Sequence, residues 1–245
     1  MNAAVIAALA APAGALVGLG AGWLSVVLER VEDLEREERE DREAFVRERD
    51  AMGGGDADGD GAWTPERYGW TWLERVLCPL LGAAGFTAFA VHEGLSHGLA
   101  IHLLWIALFV HVVAFDLKHR LILNRVSYPA VVVALGLSFV SPGLTFVHAL
   151  AGCVIVGGFF LLLNIASRGG IGRGDAKLGA LVGAVCGLSL DLNHVGAVYA
   201  VVDGIFLGGL VAFVLLVLRI RRLRDPIPYG PFLCIGASVI LFLGP

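Results

Sequence analysis

Two aspartates stand where aspartates are costly. Asp116 follows an apolar run and opens FDLKHRLILN, and Asp175 sits in SRGGIGRGDAKLGA immediately before another apolar run. At the centre of a membrane helix an aspartate costs about 3 kcal/mol on insertion scales, less towards the ends, so each needs a polar or solvated surrounding. Two such acids at the same depth can share one polar cavity. A pair of carboxylates held a few ångströms apart divides one proton near neutral pH, leaving one group as base and the other as acid. The base can activate water while the acid protonates a carbonyl oxygen, which is what peptide hydrolysis requires without a metal or a nucleophilic side chain. Around Asp175, Gly169, Gly170, Gly172 and Gly174 keep the backbone clear of side chains, so that an extended peptide could approach it and hydrogen-bond to it. Arg173 and Lys177 add positive charge nearby. A plainer reading also accounts for both acids: each caps a helix or pairs with a neighbouring Lys or Arg at the headgroup level.

The elements that must position these groups belong to a membrane. Of 245 residues, 57% are hydrophobic and 16% charged, where a soluble domain carries about 25% charged residues. Residues 29 to 50 alone hold 11 acidic and 6 basic side chains, so the rest of the chain prefers lipid to water. Outside that segment the charges nearly cancel, which makes nucleic acid a poor partner. Eight apolar runs, at 3 to 28, 73 to 92, 99 to 115, 126 to 140, 146 to 166, 176 to 190, 194 to 218 and 229 to 244, predict an all-α polytopic membrane protein with about eight transmembrane helices. The runs at 126 and 176 are 15 residues long and need tilted neighbours, a thinned bilayer or extra turns from their flanks. The first run has no basic residue before it and Arg30 after it, which predicts a retained span and not a cleaved signal peptide.

Lys and Arg set the expected orientation, because basic residues beside span ends stay on the cytoplasmic side. All 18 lie in the alternate loops 29 to 72, 116 to 125, 167 to 177 and 219 to 228, except Arg75, which adjoins the first of these. Both termini are therefore expected to face outward. Three units follow: the first helix, 1–28; a cytoplasmic charged loop, 29–72; and a seven-helix core, 73–245. Gly14, Gly18 and Gly22, then Gly179, Gly183 and Gly187, and finally Gly204 and Gly208 recur at intervals of four, which lets helix backbones approach closely.

Within the charged loop, Glu32 precedes Arg36 by four, as do Glu35 Arg39, Glu38 Arg42 and Glu43 Arg47. That spacing predicts a solvated helix without a heptad seam. In GGGDADGDG, Asp56, Asp58 and Asp60 resemble half of a calcium loop, but Arg67 stands where the closing Glu belongs, so a flexible linker is the better reading. Cys78, Cys153, Cys186 and Cys234 form no CxxC pair and read as small buried hydrophobes. His92, His97 and His102 scatter around a helix, and no metal site is expected. Asp203 lies inside the seventh run and is expected to face the interior in a structural role. Glu93, His148, Asp191 and His194 read as solvated outward ends, and Arg219, Arg221, Arg222 and Arg224, beside Asp225, as headgroup anchors.

FDLKHRLILN, GIGRGDAKLGALVGA and PIPYGPFLCIGA, in that order, resemble the three signatures of type IV prepilin peptidases, the membrane aspartyl proteases with a GxGD motif. GLGAGWLSVVLER also looks like that family's first helix. The resemblance implies an endopeptidase of the inner membrane that removes short basic leaders from prepilins or pseudopilins at the cytoplasmic face. By the same resemblance Asp116 and Asp175 match the two catalytic aspartates, Gly172 and Gly174 the motif glycines, Lys177 the lysine that follows, and Asn124 the asparagine closing the first signature. Pro228, Gly230 and Pro231 fall in the third signature and are expected to shape the start of the last helix. Leu123 replaces the usual proline of the first signature, a change expected to be tolerated. Many members carry two CxxC pairs in the first loop and also methylate the new N-terminus with S-adenosylmethionine, whereas residues 29–72 contain no cysteine. Proteolysis is expected to need no cofactor, and S-adenosylmethionine would enter only if methylation were retained. The rival readings are a proton- or ion-coupled transporter using Asp116, Asp175 and Asp203, and an inactive scaffold of a pilus or secretion assembly.

Overall fold

The computed structural model describes residues 3–29, 71–167, 172–189, 195–218 and 228–244. The charged loop from Arg30 onward, the calcium-like stretch, Gly169, Gly170, Asp191, His194 and the arginines from 219 to 224 with Asp225 lie outside the described residues. Within the described residues the chain is helical, with α1 at Ala3–Glu29 and a π-helical turn at Leu73–Leu77 running into α2 at Cys78–Glu93. There follow α3 at His97–His119, α4 at Asn124–Leu137, α5 at Phe146–Ala166, α6 at Arg173–Cys186, α7 at Gly196–Val217 and α8 at Gly230–Leu243.

Local chemistry sets these boundaries. Ser96 begins α3 by accepting the Leu99 N–H at 3.0 Å, and Thr145 does the same for α5 with His148 at 3.3 Å. Pro79 and Pro231 stand in the first turns of α2 and α8, where a missing N–H costs nothing. Five rods, including the continuous Leu73–Glu93, are long and apolar enough to cross a membrane. α4, α6 and α8 have 14 residues each, about 21 Å against a hydrocarbon core of about 30 Å. These short rods sit among longer neighbours, with α6 packed against α4, α5, α7 and α8. Its residues from Leu181 through Cys186 are all buried.

α5 and α7 turn large apolar side chains outward instead, with Leu162 at 68% and Phe206 at 69% exposure. Water would make such surfaces costly, and lipid makes them favourable. The described residues thus form an all-α polytopic membrane protein. Glycines make the close helix contacts: Gly14 and Gly18 lie against the backbone of α2 at Gly82 and Cys78, Gly183 against Gly152 of α5, and Gly236 against Ala200 of α7. Gly187 departs from its expected packing role. It ends α6 with φ +69°, donating its N–H to the Gly183 carbonyl at 2.9 Å, a helix stop that a side chain would strain.

Contacts at the two ends show that successive rods alternate in direction. One end joins Gly98 to Pro142, Phe89 to Phe242 and Gly196 to Cys186. The other brings together the last turn of α3 and the first residues of α4, α6 and α8. All lysines and arginines within the described residues, from Arg75 to Lys177, belong to this second end.

Candidate active site

The helix carrying Asp116 runs past it. Hydropathy placed the end of that span before Asp116, yet α3 continues through Lys118 and His119, and Asp116 is 4% exposed. The helix stops at Arg120, in the left-handed region at φ 55°, whose N–H donates to the Asp116 carbonyl at 2.8 Å. The Asp116 carboxylate accepts the Gly230 backbone N–H on Oδ2 at 3.0 Å. That N–H is one of the unpaired donors at the start of α8, so a carboxylate suits it in both hydrogen bonding and helix polarity.

Asp175 lies in the first turn of α6, half-buried, with its own N–H donating to the Gly172 carbonyl at 3.1 Å. A Cβ on Gly230 would meet both Asp116 Oδ2, at 2.5 Å, and Leu178 Cδ2, about one turn beyond Asp175 on α6, at 3.4 Å. The two acids therefore lie at the same end of the bundle, beside the start of α8. Among the described residues, neither acid forms an ion pair with Lys177. That lysine turns towards α4, where it donates to the Asn124 side-chain carbonyl and stands 5.8 Å from the centre of the Tyr128 ring. Lys177 and Asn124 thus tie α6 to α4 beside the acids.

The motif glycines divide their roles. Gly172 is exposed ahead of α6, and a side chain there would make only ordinary contacts, with Asp175 Oδ2 at 3.5 Å and the Gly174 nitrogen at 3.9 Å. Gly174 is close-packed: a Cβ would lie 3.1 Å from Cβ of Ile122, so this glycine seats α6 on the link between α3 and α4. Leu123 has φ −64°, the value proline imposes, so the backbone keeps the conformation that the usual residue would dictate.

Other expectations resolve differently. Glu93 is not simply solvated: its Oε1 pairs with His102 Nδ1 at 2.5 Å, its side chain 17% exposed. His148 is half-buried, and its carbonyl accepts the Leu188 N–H at 2.9 Å. Glu29, assigned by its charge to the polar loop, ends α1 and is buried. Asp203 is half-buried on α7. Cys78, Cys186 and Cys234 are buried and Cys153 is half-buried, all with free thiols. Gly230 does more than shape the start of the last helix, as expected of it: its contact with Asp116 is what sequence reasoning missed. Its one signal was a glycine between Tyr229 and Pro231, where a close backbone approach needs the space.

Fold and site together define an all-helical, multi-pass membrane protein with two acids gathered at one end of the bundle. Residues 101–218 match the model of the type IV leader peptidase family. The chain is 28% identical over 136 residues to a prepilin leader peptidase/N-methyltransferase of Xanthomonas campestris pv. campestris, covering 53% of this chain and 45% of the relative. To one of the same description from Bacillus subtilis it is 29% identical over 166 residues, covering 67% of this chain and 63% of the relative. The chain thus spans less than two thirds of the length of either relative. No solved structure matches it.

Proposed function

We propose that this chain is a membrane aspartyl endopeptidase that removes the basic leader of type IV prepilins or pseudopilins. Asp116 and Asp175 share a proton and activate water against a peptide bond held at the cytoplasmic boundary of the inner membrane. What supports the reading is that these two acids, far apart in sequence, stand at the same end of the bundle beside the start of α8. The match of residues 101–218 to the type IV leader peptidase family supports the reaction class. The gathering of Lys and Arg at the same end supports the cytoplasmic side. The substrate's apolar helix lies in lipid alongside the bundle, and its scissile bond reaches the acids past Gly172. Gly172 and Gly174 shape that approach, while Lys177 and Asn124 hold α6 and α4 in place around it.

Proteolysis in this scheme uses no cofactor. Methylation is not part of the proposal, since the loop 29–72 lacks the cysteine pairs that accompany it in many similar proteins.

Co-expression with a prepilin tests the assignment through the mobility shift on leader removal. The parent is expected to process the substrate, and Asp116→Asn and Asp175→Asn each to abolish processing while still inserting in the membrane. Parental cleavage by either variant overturns the mechanism. A transporter or inactive scaffold would give no shift from any version.

A further inference from the structure

Two residues after Asp116, the same turn of α3 presents a second set of charges to the opposite side, since two helical steps turn about 200°. Lys118 Nζ donates to Glu29 Oε1 at 2.6 Å and to Glu74 Oε1 at 2.8 Å. His119 donates from Nε2 to Glu29 Oε1 at 3.0 Å. None of these four side chains is more than 4% exposed. The other oxygen of Glu74 accepts the Thr71 N–H at 2.8 Å and the Thr71 hydroxyl. Three separate pieces of chain meet here: the end of α1, the π-helical turn and the last turn of α3.

Stability alone is a poor reason for such a cluster. Ions taken out of water recover their desolvation cost only with good geometry, and apolar residues of similar volume usually serve as well. The backbone is also distorted to supply one of the members. Glu74 lies in the π-helical turn Leu73–Leu77, a rare form that is frequent at functional sites, and α2 is regular immediately after it. Each extra residue in a turn rotates what precedes it by about 100°, so the π turn decides which way Glu74 points.

The reason lies across α3. An apolar helix among apolar helices has several rotations and depths of similar energy, and charges that must find one another select a single one. The turn holding Lys118 is closed by the Arg120 N–H on the Asp116 carbonyl at 2.8 Å, so Lys118 and Asp116 move as one unit. We propose that Lys118, held by Glu29 and Glu74, is a positioning residue: it fixes the rotation and depth of the last turn of α3 and so aims the Asp116 carboxylate at Asp175. This rests on Asp116 being catalytic.

The test measures kcat, KM and Tm on the full-length protein in detergent with a purified prepilin, each variant assayed well below its own Tm. Lys118→Met removes the ammonium that bridges two buried carboxylates and is expected to lower both Tm and kcat. The set Glu29→Gln, Glu74→Gln and Lys118→Met removes all three charges together. It is expected to regain most of the lost Tm, with kcat at least tenfold below the parent and KM within twofold. Glu29→Gln and Glu74→Gln alone, which keep an acceptor oxygen, are expected to lower kcat at least threefold at near-parental Tm and KM. A triple variant equal to the parent in both Tm and kcat overturns the proposal, leaving the cluster a fold element. If the triple variant does not fold, parental kcat in both single Gln variants overturns it equally. Parental cleavage by Asp116→Asn removes the catalytic reading instead, a result separable from any of these.

Discussion

The Gly230 backbone N–H meets Asp116 Oδ2 at 3.0 Å, and a Cβ on Gly230 would lie 2.5 Å from that same oxygen. One residue thus donates the hydrogen bond and leaves the space that the carboxylate occupies. Gly230→Ala must push the carboxylate aside or shift the start of α8. Processing is expected to fall at least tenfold, which is about 1.4 kcal/mol of transition-state stabilisation. Gly209→Ala, where an added Cβ meets nothing within 4 Å, is the matched control and is expected to process at the parental rate. Initial rates of leader removal for the two variants check this.

Lys177 and Asn124 form one link between α6 and α4. Lys177→Met and Asn124→Ala are each expected to slow processing about three- to tenfold, and the double variant no further than the more damaged single one. Residues that act through one shared contact are not additive, with coupling of about 0.5–3 kcal/mol. A double-mutant cycle on kcat/KM measures this, and full additivity would mean that the two residues act separately.

Stability should follow the glycine contacts and not the glycine count. A Cβ on Gly183 would overlap the Gly152 carbonyl, whereas one on Gly158 would meet open space. Gly183→Ala is expected to destabilise the protein by about 1–3 kcal/mol, the usual cost of overpacking. Gly158→Ala, in the interior of α5, should leave the melting temperature in detergent unchanged or slightly raised. Thermal unfolding followed by circular dichroism separates the two.

Leu123→Pro restores the residue usual in the first signature. Leu123 already has φ −64°, and no backbone bond is recorded from its N–H, so proline meets its two main requirements. Its side chain packs beside Phe115, and losing part of that contact offsets the gain of about 0.4–1 kcal/mol from a stiffer unfolded chain. Processing at the parental rate and a melting temperature within a few degrees are expected. A large loss in either would show that the leucine side chain itself is required.

What the sequence determined by itself was set by hydropathy and by short-range order. Apolar runs of membrane length must bury their backbone polar groups in helices, whatever their neighbours. Among the described residues each run therefore has its helix, such as α1 at Ala3–Glu29 against 3 to 28 and α5 at Phe146–Ala166 against 146 to 166, and five rods are long and apolar enough to cross a membrane. The three signatures singled out Asp116 and Asp175 because their order along the chain is informative without a fold. Hydropathy failed at charges with partners: it ended a span before Asp116, although α3 carries Lys118 and His119 onward, because the carboxylates that satisfy them come from Glu29 and Glu74.

Tertiary structure decided the rest. Pairing Gly230 with Asp116 joins positions 114 residues apart, and Lys118 reaches Glu29 across 89. Such contacts depend on how helices rotate and stack against one another, a matter of side-chain shape and long-range charge that no local pattern encodes. For the same reason a glycine reads alike in sequence whether it ends a helix, as Gly187 does, or receives a neighbouring backbone, as Gly183 does. The physical difference is the neighbour, and only the folded chain supplies it.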